Sequence, residues 1–201
     1  MPDSLVEILA ATGNTHKVVE MRAILEPHGI QLLSAKDVGG IPDVVEDGDT
    51  FTANAVKKAT EVAKALGRTV VADDSGLEVF ALDGAPGIYS ARYACEGGND
   101  GRNVDKLLAE MQGVADRSAR FVCVIALANP GGLIGTAEGE VRGRIIDAPR
   151  GDGGFGYDPV FAPDGYDQTF AELPAEIKNG MSHRGNALLQ AVNQSLFAKL
   201  F

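Results

Sequence analysis

Four short stretches of the 201-residue chain hold residue types that do chemistry. Asp73-Asp74-Ser75-Gly76 closes the apolar run Thr69-Val70-Val71-Ala72. Adjacent acids at a strand end repel each other. A divalent cation relieves that, because Mg²⁺ binds one or two carboxylates together with phosphate oxygens. Ligands of open α/β sheets gather at the carboxyl ends of strands, which is where this sequence puts the pair. Glu46, in an acidic stretch with Asp37, Asp43, Asp47 and Asp49, offers a further carboxylate. The alternative is a turn in which Asp and Ser make local caps. Thr12-Gly13-Asn14-Thr15-His16-Lys17 follows a second apolar run and opens a helix. Helix-start N–H groups attract anions, and Lys17 adds a charge that the helix dipole alone disfavours. An anionic ligand removes that conflict; an ordinary surface lysine beside an Asn/Thr cap is the other reading. The turn is not a P-loop, since G-x-x-x-x-G-K-[ST] is absent.

The third stretch, Gly151-Asp152-Gly153-Gly154-Phe155-Gly156, formally matches G-x-G-x-x-G. It comes late, and Tyr157-Asp158-Pro159 follows it rather than a helix, so the dinucleotide reading fails. Phe155 and Tyr157 flank a glycine and suit either stacking on a base or anchoring the loop to the core. The fourth, Ser182-His183-Arg184-Gly185, precedes the last helix, with Ser182 as its N-cap. No G-x-S-x-G elbow exists to make the Ser-His pair a hydrolase triad. His183, Arg184 and the nearby Lys178 read instead as hydrogen-bond donors to a base or phosphate.

These stretches need a scaffold. Residues 5–11 read as a strand buried on both faces. A helix follows, with Val18, Met21 and Leu25 at helical spacing and Pro27-His28-Gly29 as its stop, and then a strand over 30–33. Strand–turn–helix–strand is a βαβ unit. A helix over 50–66 carries the stripe Ala55, Ala59, Val62, Ala63 and Leu66, with Asn54, Lys57, Lys58 and Glu61 on its other side. A strand over 69–72 ends at the acidic pair, and an apolar segment covers 77–82. Val104, Leu107, Leu108 and Met111 mark a helix. Strands cover 121–128 and 133–146, a glycine- and aromatic-rich loop 151–164, a short helix 174–179, and a last helix 182–200. With neither repeat nor linker, one mixed α/β domain spanning 1–201 is the economical reading.

Bulk properties narrow the class. Eighteen basic and 28 acidic residues give a net charge of −10, which disfavours a general nucleic-acid binder. An anionic small molecule then needs a local basic cluster, a metal ion, or both. Cys95 and Cys123 lie far apart without CxxC spacing, so neither a disulfide framework nor a zinc site is expected. The first residues are acidic where a signal peptide is basic, and the longest apolar run, 121–128, is too short to span a bilayer. A cytoplasmic location without membrane association is the expectation.

Taken together, the chain resembles the inosine/xanthosine triphosphate pyrophosphatases, the house-cleaning dITP/XTP enzymes. The resemblance rests on Ala11-Thr12-Gly13-Asn14-Thr15-His16-Lys17, Asp73-Asp74-Ser75-Gly76-Leu77, the run from Gly84-Ala85-Pro86-Gly87 to Tyr93, Gly154-Phe155-Gly156-Tyr157-Asp158-Pro159, and Ser182-His183-Arg184-Gly185. The five blocks follow the family's order and span nearly the whole chain. The resemblance implies an elongated mixed-sheet α/β domain with two lobes and a central substrate cleft, assembled as a homodimer. It implies Mg²⁺-dependent hydrolysis of ITP, dITP or XTP to the monophosphate and pyrophosphate. By position, Thr12, Gly13, Asn14, Thr15, His16, Lys17 and Lys58 would hold the triphosphate. Glu46 and Asp74 would bind Mg²⁺, Asp74 would accept the proton of the attacking water, and Ser75 would contact the substrate. Phe155, Gly156, Tyr157, Asp158, Lys178, His183 and Arg184 would form the base pocket.

The chemistry is consistent with those roles. Attack at the α-phosphorus needs neutralised phosphate charge, an activated water and a stabilised leaving group. Hypoxanthine and xanthine carry an O6 acceptor where adenine has an N6 donor, so Lys, His and Arg donors favour the former. Three other readings stand beside this one. A nucleotide sensor on the same scaffold would bind without turnover, which a pyrophosphate-release assay decides. An oxidoreductase using the glycine motif would need a strand-then-helix context. A related septum-associated nucleotide pyrophosphatase, with another base preference, would lack the SHRG and GFGYDP blocks.

Overall fold

A computed structural model describes residues 6–200. Leu5, which the sequence adds to the first strand, and the acidic N-terminal stretch up to it lie outside the described residues. Six strands form one sheet in the order β2-β1-β3-β4-β5-β6. They are β1 (Val6–Ala10), β2 (Ile30–Leu33), β3 (Val70–Val79), β4 (Ser118–Asn129), β5 (Gly132–Ile145) and β6 (Phe161–Pro163). The helices are α1 (Thr15–Leu25), α2 (Phe51–Leu66), α3 (Asp100–Glu110), α4 (Ala175–Met181) and α5 (His183–Asn193). β1 pairs parallel with β2 and β3, as a βαβ unit requires, whereas β5 pairs antiparallel with β6. The sheet is therefore mixed and the fold is α/β.

The chain divides into two compact units. The first takes the residues up to Asp74, with Cys123–Gly139 and the residues from His183 on; the second takes Ser75–Val122 and Glu140–Ser182. The first unit's core joins Ile8, Met21, Leu25 and Leu32 of the βαβ unit to Cys123, Ile125 and Leu127 of β4 and Ala187 and Leu188 of α5. A Cβ at Gly139 would lie 2.2 Å from the Ala187 amide nitrogen and 2.4 Å from the His183 carbonyl oxygen, so only glycine lets β5 pass this close to α5. The second unit's core gathers Leu77, Val104, Leu107, Met111, Tyr157 and Val160 with Phe121, Phe161 and Phe170. Phe121 and Phe161 meet edge to face, their centroids 4.7 Å apart.

The helix ends follow the chemistry of their caps. Asn14 caps α1, accepting the His16 and Lys17 amides, and Thr50 caps α2, accepting the Ala53 amide. Gly67 closes α2 at φ +63°, a conformation open to glycine at no steric cost.

Two expectations are corrected. Asp73-Asp74 does not end a strand: β3 continues unbroken from Val70 to Val79, taking in the apolar segment expected separately from Leu77. The pair can stay extended and buried because cations and an amide, described below, engage the Oδ2 atom of each carboxylate. The last helix is eleven residues long and stops at Asn193 instead of running to 200. Ser195 adopts φ +55°, and a 3₁₀ turn over Phe197–Leu200 buries Phe197 against the first core. The apolar residues beyond Asn193 satisfy a helical pattern in the sequence, but they reach the core by a turn.

Candidate active site

The first unit holds a dense ionic centre around the middle of β3. Asp73 is fully buried. Its Oδ2 accepts Arg184 Nη2 at 2.8 Å and Nε at 3.1 Å, and lies 3.0 Å from Lys17 Nζ. Arg184 Nη1 donates to Glu20, which lies on the buried face of α1. Burial pushes the Asp73 carboxyl up, but Lys17, Arg184 and Lys58 outweigh it and hold it well below the usual carboxylate range. Asp73 is thus a fixed anion.

Asp74 behaves oppositely. Burial raises its proton affinity and Glu46 adds to the rise, while Lys58, the Asn54 amide and Lys17 oppose it; the net shift is upward. Asn54 Nδ2 donates to Asp74 Oδ2 at 3.0 Å. Lys58 pairs with Glu46. Burial disfavours the Lys58 charge, yet Asp73, Glu46 and Asp74 more than restore it. Two neighbouring acids therefore differ: the proton affinity of Asp73 is lowered by three cations, and that of Asp74 is raised by burial.

Among the described residues, no three His, Cys, Asp or Glu side chains converge as a closed metal cage. The donor set that is present, Asp74 beside Asn54 and Glu46 beside Lys58 on the same face of α2, is of oxygen ligands only, the kind a hard cation takes together with phosphate and water.

The helix-start turn departs from the expectation of open N–H donors. The Asn14 amide donates to Thr12 Oγ1 at 3.1 Å, and the His16 and Lys17 amides donate to Asn14 Oδ1 at 2.9 and 3.3 Å. The caps use these N–H groups, because short polar side chains compete for them at a helix start. Thr12 is half-buried, and Gly13 and Thr15 lie in the same turn. A Cβ at Gly13 would meet nothing within 4 Å. The charge of the turn resides in Lys17, whose ammonium lies against Asp73.

In the second unit, the glycine-aromatic loop closes on one carboxylate. Asp158 is buried and its Oδ2 accepts Lys178 Nζ at 2.6 Å and the Phe155 amide at 2.9 Å. Lys178 Nζ also lies 5.2 Å from the Phe155 ring centroid, within cation–π range. A Cβ at Gly154, where φ is +71°, would lie 2.0 Å from Asp158 Oδ2, so glycine alone permits this closure. The Gly156 amide donates to Asp100, and the buried Tyr157 hydroxyl donates to the Ser90 carbonyl. A 3₁₀ turn over Asp158–Val160 follows the loop, not the helix that a dinucleotide fingerprint requires. Ser75 sits half-buried in β3.

The structure gathers Lys17, Glu46, Lys58, Asp73 and Asp74 in the first unit, and Phe155, Gly156, Tyr157, Asp158 and Lys178 in the second. His183 and Arg184, read in sequence with Lys178 as base donors, fall in the first unit. Both are buried, and the Arg184 guanidinium is committed to Asp73 and Glu20. Ser182 closes α4, its amide returning to the Lys178 carbonyl at 2.8 Å. Sequence reasoning missed Glu20 and Asn54. Glu20 is an acid between Val18 and Met21 on an apolar face, which itself signals a buried partner. Asn54, assigned to the polar side of α2, is buried to 1% exposure. Its only sequence signal is its place one helical turn before Lys58.

A mixed α/β sheet whose parallel strand β3 carries a buried acidic pair countered by lysines and an arginine defines a recognisable class. A sequence model of the Ham1 family matches residues 8–194, and the chain belongs to that family. It is 54% identical over 183 residues to a dITP/XTP pyrophosphatase of Desulfotalea psychrophila, covering 91% of this chain and 82% of that protein. It is 47% identical over 184 residues to a dITP/XTP pyrophosphatase of Bacillus subtilis, covering 90% and 93%. Among solved structures, it resembles the Staphylococcus aureus Ham1 protein with a TM-score of 0.81 at 44% identity, over 94% of this chain and 98% of that one. A HAM1 protein from Coxiella burnetii matches with a TM-score of 0.83 at 40% identity, over 94% and 99%.

Proposed function

We propose that this chain is a pyrophosphatase of deaminated purine nucleoside triphosphates, cleaving ITP, dITP or XTP to the monophosphate and pyrophosphate. The family and the names of its relatives support the activity. The observation that carries it is the paired carboxylates of β3, Asp73 held by Arg184 and Lys17 and Asp74 held by Asn54 beside the Lys58–Glu46 pair.

In this reading Lys17 and Lys58 hold the triphosphate, with the Thr12–Lys17 turn shaping its seat. Asp74 and Glu46 hold Mg²⁺, which supplies neutralisation of the phosphate oxygens when bound. Asp74 takes the proton of the attacking water. Burial raises its proton affinity, the direction that strengthens a carboxylate as a base. Asp73 keeps Lys17 oriented, and Lys17 stabilises the departing pyrophosphate. Phe155 offers its ring to the purine face. Lys178 donates to O6, with Asp158 fixing it and Tyr157 bracing the loop; Arg184, read in the sequence as a further base donor, instead holds Asp73 and Glu20. An adenine N6 donor would meet donors, a mismatch that discriminates strongly.

No helix among the described residues is long and apolar enough to cross a membrane. We further propose a homodimer acting in the cytoplasm on the free nucleotide pool, without nucleic-acid or membrane partners.

The test is a panel of ITP, dITP, XTP, GTP, ATP and dUTP with Mg²⁺, scoring pyrophosphate against phosphate. Hydrolysis in ¹⁸O water is expected to place the label on the monophosphate. Label in the released diphosphate would refute attack at the α-phosphorus, and binding without turnover would make the protein a sensor.

A further inference from the structure

We propose that Asn54 is a positioning residue that sets the two carboxylates assigned to the metal, Asp74 and Glu46, in register with each other. The inference rests on the reading of those carboxylates given above.

The side chain of Asn54 joins Asp74 to the loop that carries Glu46. Its Oδ1 accepts the Gly48 amide at 2.8 Å, and its Nδ2 donates to Asp74 Oδ2 at 3.0 Å. An amide is the group that offers an acceptor at one end and a donor at the other, and each end here faces its complement. The first bond tethers the acidic loop two residues beyond Glu46. The second fixes the rotation of the Asp74 carboxylate. Lys58, one turn further along α2, pairs with Glu46 itself and Lys57 pairs with Asp47, so α2 grips the loop at three successive residues, of which only the Asn54 grip also reaches Asp74 through the same side chain.

The loop lies hard against this face. A Cβ at Gly48 would fall 2.8 Å from both Ala53 Cβ and Asn54 Oδ1, so the position admits only glycine without movement.

The helix itself does not need this side chain. The Asn54 backbone amide already bonds to the Thr50 carbonyl, and Thr50 is the N-cap. Asn is a poorer helix former than Ala, and here it is almost fully buried in an apolar-flanked position. Its placement is accounted for by the two groups it joins. Leucine, of similar size, would leave the Gly48 N–H and an Asp74 oxygen without this partner.

The experiment compares Asn54→Leu with the parent protein. Loss of a group that orients metal ligands costs about 10–100-fold in metal affinity or activity. The Mg²⁺ concentration for half-maximal pyrophosphate release from ITP is expected to rise about 10-fold, while the KM for ITP at saturating Mg²⁺ stays within about 3-fold. Mn²⁺ titration followed by electron paramagnetic resonance, with a non-hydrolysable α,β-imido analogue of ITP, is expected to show the same weakening without turnover. In the parent, the Gly48 amide is expected to exchange with solvent far more slowly than its loop neighbours.

A lowered melting temperature with metal midpoint, Mn²⁺ titration and kcat all within twofold of the parent would overturn the proposal. So would a Gly48 amide that exchanges as freely as the rest of the loop, a measurement that needs no variant. If Asn54→Leu does not fold, Asn54→Ser is read the same way, since a single hydroxyl cannot span both partners. Asp74→Asn distinguishes the role of Asp74 from that of Asn54. A fully active Asp74→Asn removes the assignment of Asp74, whereas an inactive one beside normal Asn54 variants removes only the positioning role.

Discussion

The two units each bury ionic side chains, and they do so differently. In the second, Lys178 and Asp158 form a closed pair: one cation, one carboxylate, a backbone amide from Phe155 and an aromatic ring over the ammonium. In the first, Lys17, Lys58 and Arg184 meet Glu20, Glu46, Asp73 and Asp74. Among the described residues three cations face four carboxylates there, and burial, with Glu46 adding to it, raises the proton affinity of Asp74. A balanced pair anchors a loop. An unbalanced cluster is held at a cost in stability that a cation or a proton relieves, which is what a hydrolytic centre needs.

The strongest way to break this contrast is Asp73→Ala. It strips a buried arginine and Lys17 of their shared partner, leaving Arg184 its bond to Glu20, and removing one member of a buried pair costs about 3–5 kcal/mol. Denaturant unfolding should show that loss; a loss under 1 kcal/mol would mean the centre is not held through Asp73. The same carboxyl gives a pH signature. Its folded-state pKa is depressed, so its contribution is complete above the unfolded value of about 3.8 and is lost as pH falls below it. Melting temperatures in acid should therefore fall more steeply for the parent than for Asp73→Asn.

Asp74→Asn should act on the other property. With pKa raised in the fold, the ionised Asp74 carboxylate opposes folding above its unfolded pKa of 3.8, so the amide should leave the melting temperature equal or higher. Turnover should drop by about 100-fold or more, the scale of a general base. Near-parental turnover at saturating Mg²⁺ would remove Asp74 from the chemistry.

The closed pair should be replaceable as a unit. Exchanging a buried pair for neutral groups is often nearly neutral in stability. Lys178→Met combined with Asp158→Asn should fold with little loss, while losing about 1–3 kcal/mol of ITP recognition through the missing donor. In kinetics that is roughly a 5–150-fold fall in kcat/KM for ITP with a smaller fall for ATP. Parallel losses for the two substrates would assign Lys178 to loop anchoring alone.

The smallest effect tests the frame outside both centres. Asn99 caps α3, accepting the Arg102 amide at 2.9 Å. Asn99→Ala should cost about 1 kcal/mol in unfolding experiments and leave ITP turnover unchanged. A matching fall in turnover would show that α3 transmits strain to the chemistry.

The sequence by itself determined what depends on neighbours in the chain. The βαβ start, α2 between Thr50 and Gly67, and the glycine-aromatic loop without a following helix all rest on periodicity, caps and turn residues, which act over a few positions. The acidic pair was legible as chemistry for the same reason, but its place within a continuous strand was not, since two adjacent acids read locally as a stop. Only the tertiary structure decided their partners. Arg184 reaches Asp73 across 111 positions and Glu20 across 164, and Asn54 reaches Asp74 across 20. No periodic pattern encodes such pairings. Burial sets them, because a charge withdrawn from water must find its complement wherever the packed chain brings one. Identical residue types, Asp73 and Asp74, thereby acquired opposite proton affinities from surroundings assembled out of distant segments.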